Sequence, residues 1–490
     1  MAVATEREYL LFINGEPTEA SAGELKELIE PATGEPLAKV AMGTEADVDR
    51  AVEAARAALD GDWGRTAPTE RSRLLHALAD AIQANRKELA ELEVRNVGKA
   101  ISSVKAELAQ AVENFRFYGS AIGSISGRAN PIGGSLLYYS LKEPVGVAGQ
   151  IVPWNYPLMM TTWKLAPALA AGCSIVLKPD SQTPLTALRM AELASEVGVP
   201  PGALNVVPGP GKTIGTHLVK HPGVDKIAFT GSTATGAQIM RDGSDSIKRL
   251  TLELGGKSPS LVFADADLGD AIPSSVWSIY YSAGQSCEAR SRVLVESSVY
   301  DDFVSQFSEA AGRLKVGDPL EPETQVGSLI STDHRDRVHG YVETGREEGA
   351  EVVAGGEPVE GKGAFYPPTV LAKVDNKMKV AQEEIFGPVV TIIPFEDEKD
   401  AIRIANDSRY GLMSTVWTGD PARGHRLARK IKAGTVGINM PYTAFPGIPF
   451  GGYKQSGFGR ELGIETLELY LETKSVIVST SPKPFNPFGL

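Results

Sequence analysis

Two cysteines and six histidines among 490 residues leave little material for a metal cluster or a disulfide framework. So few cysteines cannot staple a chain of this length, which points to a reducing compartment. Clustered positive charge is also missing, for the net charge is −12. That excludes a nucleic-acid partner, because neutralising phosphates requires grouped Lys and Arg. No apolar run approaches the roughly 18 uninterrupted residues of a membrane span. The opening "MAVATEREYLLFINGEP" lacks the apolar core and small-residue cleavage site of a signal peptide. No unit of about 20–50 residues repeats. The expectation is a cytoplasmic enzyme without metal or membrane partner.

The composition is globular, with 42% hydrophobic and 22% charged residues, and at this length two or three domains are expected. "TEADVDRAVEAARAAL" (44–59) spaces its apolar residues as a helix behind a Thr cap, and a second helical region covers 69–100. From residue 145 short apolar runs alternate with helical stretches. "VGVAGQIVP", "CSIVLKP", "VDKIAFTG" and "RLTLELGG" read as strands. "PLMMTTWKLAPALAAG", "PLTALRMAELASEVG" and "ATGAQIMRDG" read as the helices between them. Such alternation predicts a doubly wound α/β sheet whose ligands lie beyond the carboxyl ends of the strands. A second alternating region runs from about 256 to 450. "RANPIGGSLLYYSLKEP" (128–144) reads as a hairpin around Gly-Gly, and "KSVIVST" (474–480) as a lone strand. Neither has an obvious local sheet, so each is either an ordinary edge element or a strand that pairs with another subunit.

Several motifs at the predicted strand ends carry chemistry. "FTGSTATG" (229–236) follows a strand and opens a helix, where backbone amides can hold a pyrophosphate, although Ser232 and Thr233 depart from G-x-G-x-x-G. Glu253 stands near the distance at which an acid holds the ribose, and reads equally as a catalytic base or a turn residue. Lys178, in "LKPDSQTP", is either a solvated lysine or a ligand for ribose or phosphate. "GPGKT" (209–213) fails as a P-loop, because Val206 stands where its first glycine belongs. His217 and His221 have the spacing of a zinc pair without an evident third ligand, and read as surface histidines. Cys173 sits at the entry to a buried strand. Cys287, in "GQSCEARSR", lies among Gly, Ser and Arg, where a thiolate is stabilised and reached.

"PWNYP" (153–157), "FTGSTATG", "LELGGKSP" (252–259), "GQSC" (284–287), "EEIFGPV" (383–389) and "PFGGYKQSGFGRELG" (449–463) together resemble the aldehyde dehydrogenase superfamily across nearly the whole chain. The resemblance implies a Rossmann-type cofactor domain (1–125 and 145–255) and an α/β catalytic domain (256–470). A β oligomerisation arm and tail (126–144 and 471–490) complete it. It implies oxidation of a small-molecule aldehyde to the carboxylic acid with NAD or NADP. Cys287 would form a thiohemiacetal and then a thioester, with Asn155 and the Cys287 N–H steadying the oxyanion. Glu253 would activate the hydrolytic water, and Lys164 matches a lysine beside this site.

For the cofactor the resemblance picks out Trp154, Lys178, Gly211, Gly215, Phe229, Gly231 and Ser232, with Glu384 and Phe386 at the nicotinamide end. Ser181 stands where NAD-preferring relatives place a Glu that repels a 2′-phosphate, so NADP acceptance is expected, with Asp180 as the neighbour that opposes it. Tyr156, Met160, Trp163 and Phe450 match tunnel positions. Glu288 either faces that tunnel, favouring a cationic amino-aldehyde or betaine aldehyde, or faces solvent and pairs with Arg290 or Arg292. A homodimer or homotetramer is implied. The alternatives are a CoA-acylating semialdehyde dehydrogenase, against which Glu253 argues, and a catalytically silent family member.

Overall fold

The computed structural model describes residues 8–132, 135–441, 444–481 and 487–489. Its first sheet has eight strands in the order Gly457–Phe458, Arg249–Glu253, Lys226–Thr230, Val147–Ile151, Ser174–Lys178, Leu204–Val206, Leu11–Ile13 and Glu16–Thr18. The five strands from Arg249–Glu253 to Leu204–Val206 are parallel, and all residues of Val147–Ile151, Ser174–Lys178 and Lys226–Thr230 are buried. Burial on both faces explains why these strands read as continuous apolar runs. The chain enters at Val147–Ile151, adds two strands on one side, then returns to add two on the other. That reversal opens a crevice at the carboxyl ends, where a dinucleotide binds in such sheets.

A second sheet of seven strands spans Glu351–Ala354, Thr369–Ala372, Val389–Phe395, Arg292–Glu296, Pro259–Val262, Met413–Trp417 and Thr435–Ile438, in that order. All pairings are parallel except that of Glu351–Ala354. Each sheet packs against its own apolar core. The C-terminal motif crosses between the two regions: Gly457–Phe458 pairs antiparallel with Arg249–Glu253, although the sequence reading assigns it to 256–470.

Local signals explain the helix limits. Thr44 closes a capping box with Asp47 ahead of Glu45–Asp60. The helical region 69–100 divides at Asn85 into Pro68–Ala84 and Arg86–Val97, and a long helix, Ile101–Ala121, follows. The Asn85 side chain donates to the Ala81 carbonyl (2.8 Å), closing the earlier helix locally.

The two extended segments find partners within the chain. Ala129–Pro131 and Leu136–Pro144 do form a hairpin, though its Gly-Gly turn lies outside the described residues. Leu136–Pro144 then pairs antiparallel over its full length with Leu471–Ser479. Their partner is each other, 327 residues apart at Leu471 and Pro144, so no local pattern revealed the sheet. Within the tail 481–490, residues 482–486 and 490 lie outside the described residues. Among the described residues no helix is long and apolar enough to cross a membrane.

Candidate active site

A cavity of about 1070 Å³ opens where the two α/β regions meet at their strand ends. Cys287, Asn155 and Glu253 all line it, with Trp154, Gly231, Ser232, Glu384 and Phe386 of the expected cofactor residues. The aromatic wall consists of Tyr156, Trp163 and Phe450 with Met160, and the Trp163 and Phe450 rings meet edge to face at 5.3 Å.

The cysteine loop is held by backbone strain and close approach. Ser282, Ala283 and Gly284 have φ of 55°, 53° and 71°, three successive left-handed residues ahead of Cys287. A Cβ at Gly284 would collide with the Gly387 carbonyl, and one at Gly256 with that of Cys287. The Gly-Gly of "LELGGKSP" therefore serves two neighbours, since Gly255 likewise leaves room for the Glu384 carboxyl. Gly284→Ala should lower thermal stability by more than about 1 kcal/mol and depress turnover, because L side chains disfavour this φ and the carbonyl blocks the methyl. A thermal melt and a rate measurement together check it; an unchanged pair would contradict this account of the loop.

Asn155 Nδ2 donates to the Gln285 carbonyl at 2.8 Å, which fixes the amide plane and leaves its second hydrogen for another acceptor. Gln285 is itself anchored, its Oε1 accepting from the Ile330 N–H at 2.9 Å. Cys287 is partly exposed to the cavity. Burial, then the charges of Glu288, Glu384 and Glu253, push its thiol well above the ordinary range, while its own backbone N–H pulls the other way.

Glu253 ends its strand with 5% of its surface exposed, and neither carboxyl oxygen has a hydrogen-bond partner among the described residues. Burial, then Glu461, raise its pKa well above the usual carboxylate range, against Lys164 and Arg460. The Glu253 carboxyl lies against Gly451, where a Cβ would stand 2.7 Å from Oε1. Lys164 lies beneath the cavity, fully buried, with its Nζ 2.7 Å from Glu461 Oε1. Glu461 escaped the sequence reading; its place in the 449–463 motif was the available signal. A second buried network also went unread: Lys99 binds Glu107 (2.8 Å) and stacks over the Tyr156 ring at 3.6 Å. Tyr156 then donates to Ser286, next to Cys287 (3.2 Å).

Glu288 takes the cavity position of one expectation and the Arg290 pairing of the other, without the outward orientation. It lines the cavity and is ion-paired with the buried Arg290, while also accepting from Ser286 (3.3 Å). Arg292 is engaged elsewhere, by the carbonyls of Lys257, Ile404 and Ala405 and by Asn376.

At the nicotinamide end Glu384 accepts from the Gly256 N–H at 2.9 Å, and burial raises its pKa to about 7. Phe386, at φ 63°, turns its ring edge to face with Trp154, 5.2 Å away. His334, absent from the sequence reading, packs on Trp154 at 5.3 Å and binds the Phe386 carbonyl at 2.7 Å. Toward the other end Ser232 caps the helix Thr233–Asp242 by accepting from the Thr235 N–H. Phe229 is buried beneath Gly231, where a Cβ would meet its ring. Gly211 and Gly215 bound a π-helical turn, with Lys178 packed near Gly215. Lys178 ends the strand Ser174–Lys178, and Ser181 follows it. Lys178 Nζ donates to the Pro179 carbonyl at 2.9 Å. Asp180 accepts from the Gln182 N–H at 2.9 Å.

These residues fit a dinucleotide. Thr230 Oγ1, at the crevice, is buried with no hydrogen-bond partner among the described residues, and a capped helix opens beside it. His217 and His221 do meet a third acidic group, Asp49, at 2.6 and 3.2 Å. His221 Nδ1 accepts from the Gly223 N–H, so in the neutral ring Nε2 carries the hydrogen toward Asp49. Metal ligation through Nε2 needs the opposite tautomer.

Comparison with known proteins gives a consistent picture. The model of the aldehyde dehydrogenase family matches residues 18–476. The NADP/NAD-dependent aldehyde dehydrogenase PuuC of Escherichia coli is 43% identical, covering 98% of this chain and 97% of its own. Aldehyde dehydrogenase 1A1 of Oryctolagus cuniculus is 42% identical over 96% of each. The NAD+ complex structure of aldehyde dehydrogenase from Bacillus cereus is 46% identical, with a TM-score of 0.95, covering 96% of this chain and 97% of that one.

Proposed function

Because the chain belongs to the aldehyde dehydrogenase family and is an NAD(P)-dependent aldehyde dehydrogenase, we propose that it releases a free carboxylic acid through a Cys287 thioester hydrolysed with Glu253 as base. The supporting observation is a single cavity lined by Cys287, Asn155 and Glu253, bordered by residues suited to the nicotinamide. The cofactor, when bound, accepts a hydride.

The residues of the chain do the rest. Cys287 Sγ gives its proton to solvent and bonds as the thiolate to the aldehyde carbon, giving a thiohemiacetal whose oxyanion takes hydrogen bonds from Asn155 Nδ2 and the Cys287 N–H. After the hydride leaves, the carbon is a thioester. Glu253, in its ionised form, removes a proton from the attacking water. The Lys164–Glu461 pair beneath it sets the local charge: the Glu461 carboxylate raises the Glu253 pKa and Lys164 lowers it. Trp154, Phe386 and Glu384, which line the cavity, would hold the nicotinamide ribose and ring when the cofactor binds.

The aromatic funnel favours aliphatic or aromatic aldehydes. Glu288 is neutralised by Arg290, which weakens the case for a cationic substrate. Exposed Leu136, Leu137, Leu141 and Ile477 on the three-stranded arm support a homo-oligomer assembled through that sheet. Absorbance at 340 nm with an aldehyde panel and no CoA tests the reading. Reduced cofactor is expected, and a CoA requirement would contradict it.

NADP acceptance belongs to the same proposal. Asp180 is held in a local turn by the Gln182 N–H, which supports an open path to Ser181. Parent protein should reduce both cofactors, and Ser181→Glu should raise KM for NADP by about tenfold or more while sparing NAD. Steady-state kinetics with each cofactor checks this; complete rejection of NADP by the parent would contradict it.

A further inference from the structure

Lys26 lies outside the eight-stranded sheet, on Leu25–Ile29 of the small N-terminal sheet. The fold nevertheless carries its ammonium to the carboxyl end of Ser174–Lys178. There Nζ donates to the Ser181 carbonyl at 3.2 Å and reaches Ser181 Oγ at 3.4 Å. An ammonium has three donors, so Ser181 leaves capacity for an incoming anion. Lys178 is the second cation of this corner. Burial lowers its pKa, the Asp180 counter-charge opposing that shift and the Lys26 like charge adding to it. A second ammonium group thus lies within electrostatic reach of Lys26, which itself contacts the Ser181 hydroxyl.

Resting on the cofactor reading above and deepening it, we propose that Lys26 is a specificity residue that pairs with the 2′-phosphate of NADP beside Ser181. A phosphate dianion gains a charge-assisted hydrogen bond from an ammonium, whereas the neutral 2′-hydroxyl of NAD gains far less. Lys26 therefore acts on the difference between the two cofactors. Replacing Glu by Ser at 181 removes a repulsion, and Lys26 adds the attraction.

The test uses adenosine 2′,5′-bisphosphate and adenosine 5′-monophosphate, titrated calorimetrically into the intact protein. The parent should bind the bisphosphate more tightly. Lys26→Met should weaken bisphosphate binding about tenfold and monophosphate binding by no more than about twofold, and Lys26→Arg should restore most of the loss. The bisphosphate preference should shrink with added salt in the parent and less so in Lys26→Met. Equal weakening of both ligands would make Lys26 a structural tether and overturn the inference. A bisphosphate preference kept intact in Lys26→Met would also overturn it, while leaving NADP acceptance standing. A parent that shows no preference and does not reduce NADP would overturn both.

Discussion

Cys287→Ala is expected to abolish aldehyde oxidation, lowering kcat by about four orders of magnitude or more, because no other group can hold the acyl carbon. Cys173 cannot substitute. It is fully buried, its Sγ donates to the Tyr470 carbonyl at 3.4 Å, and burial pushes its pKa up to about 12. The Cys287 side chain packs against an apolar cluster that a smaller residue leaves in place, so the variant should melt near the parent temperature. Steady-state kinetics beside a thermal melt separates the two effects. An active Cys287→Ala protein would refute the covalent route.

Glu253→Gln should leave the first half of the reaction and remove the second. Mixing with aldehyde and cofactor should give a burst of one reduced cofactor per active site, followed by turnover slowed about 10²–10⁴-fold. The pH dependence has a definite sign. Burial and Glu461 hold the Glu253 pKa well above the ordinary carboxylate value, and the base works ionised. Parent turnover limited by hydrolysis should therefore rise with pH through that raised pKa and fall in acid. Stability runs the opposite way. A carboxyl whose folded pKa is raised disfavours folding once the pH passes its unfolded value of about 4.3, so Glu253→Gln should gain stability over the parent as pH rises. Stopped-flow absorbance and melts across pH read both. A missing burst, or full steady-state turnover in Glu253→Gln, would remove Glu253 from the base role.

The local pattern carried the parallel strands and their helices because burial on both sheet faces writes itself as apolar runs between caps. The glycines of 255–256 and the Cys287 loop were visible as motifs. Their reason was not, since it lies in collisions with Glu384 and with the Cys287 carbonyl from other segments. Lys164 was legible as a residue, yet its partner Glu461 is 297 positions away. Lys26 and Ser181 meet across 155 positions, and Asp49 meets His217 across 168. The strands 136–144 and 471–479 likewise lacked any local sign of each other. Long-range pairing of single polar side chains leaves no periodicity, so only the folded backbone brings these groups together.

The central claim is a thioester on Cys287, and intact-mass measurement of Glu253→Gln tests it most directly. After incubation with an aldehyde and NAD(P), the protein should gain the mass of the aldehyde less two hydrogens, and digestion should locate the adduct on Cys287. An unmodified protein that has nevertheless reduced one cofactor per site, or an adduct on another residue, would contradict the account.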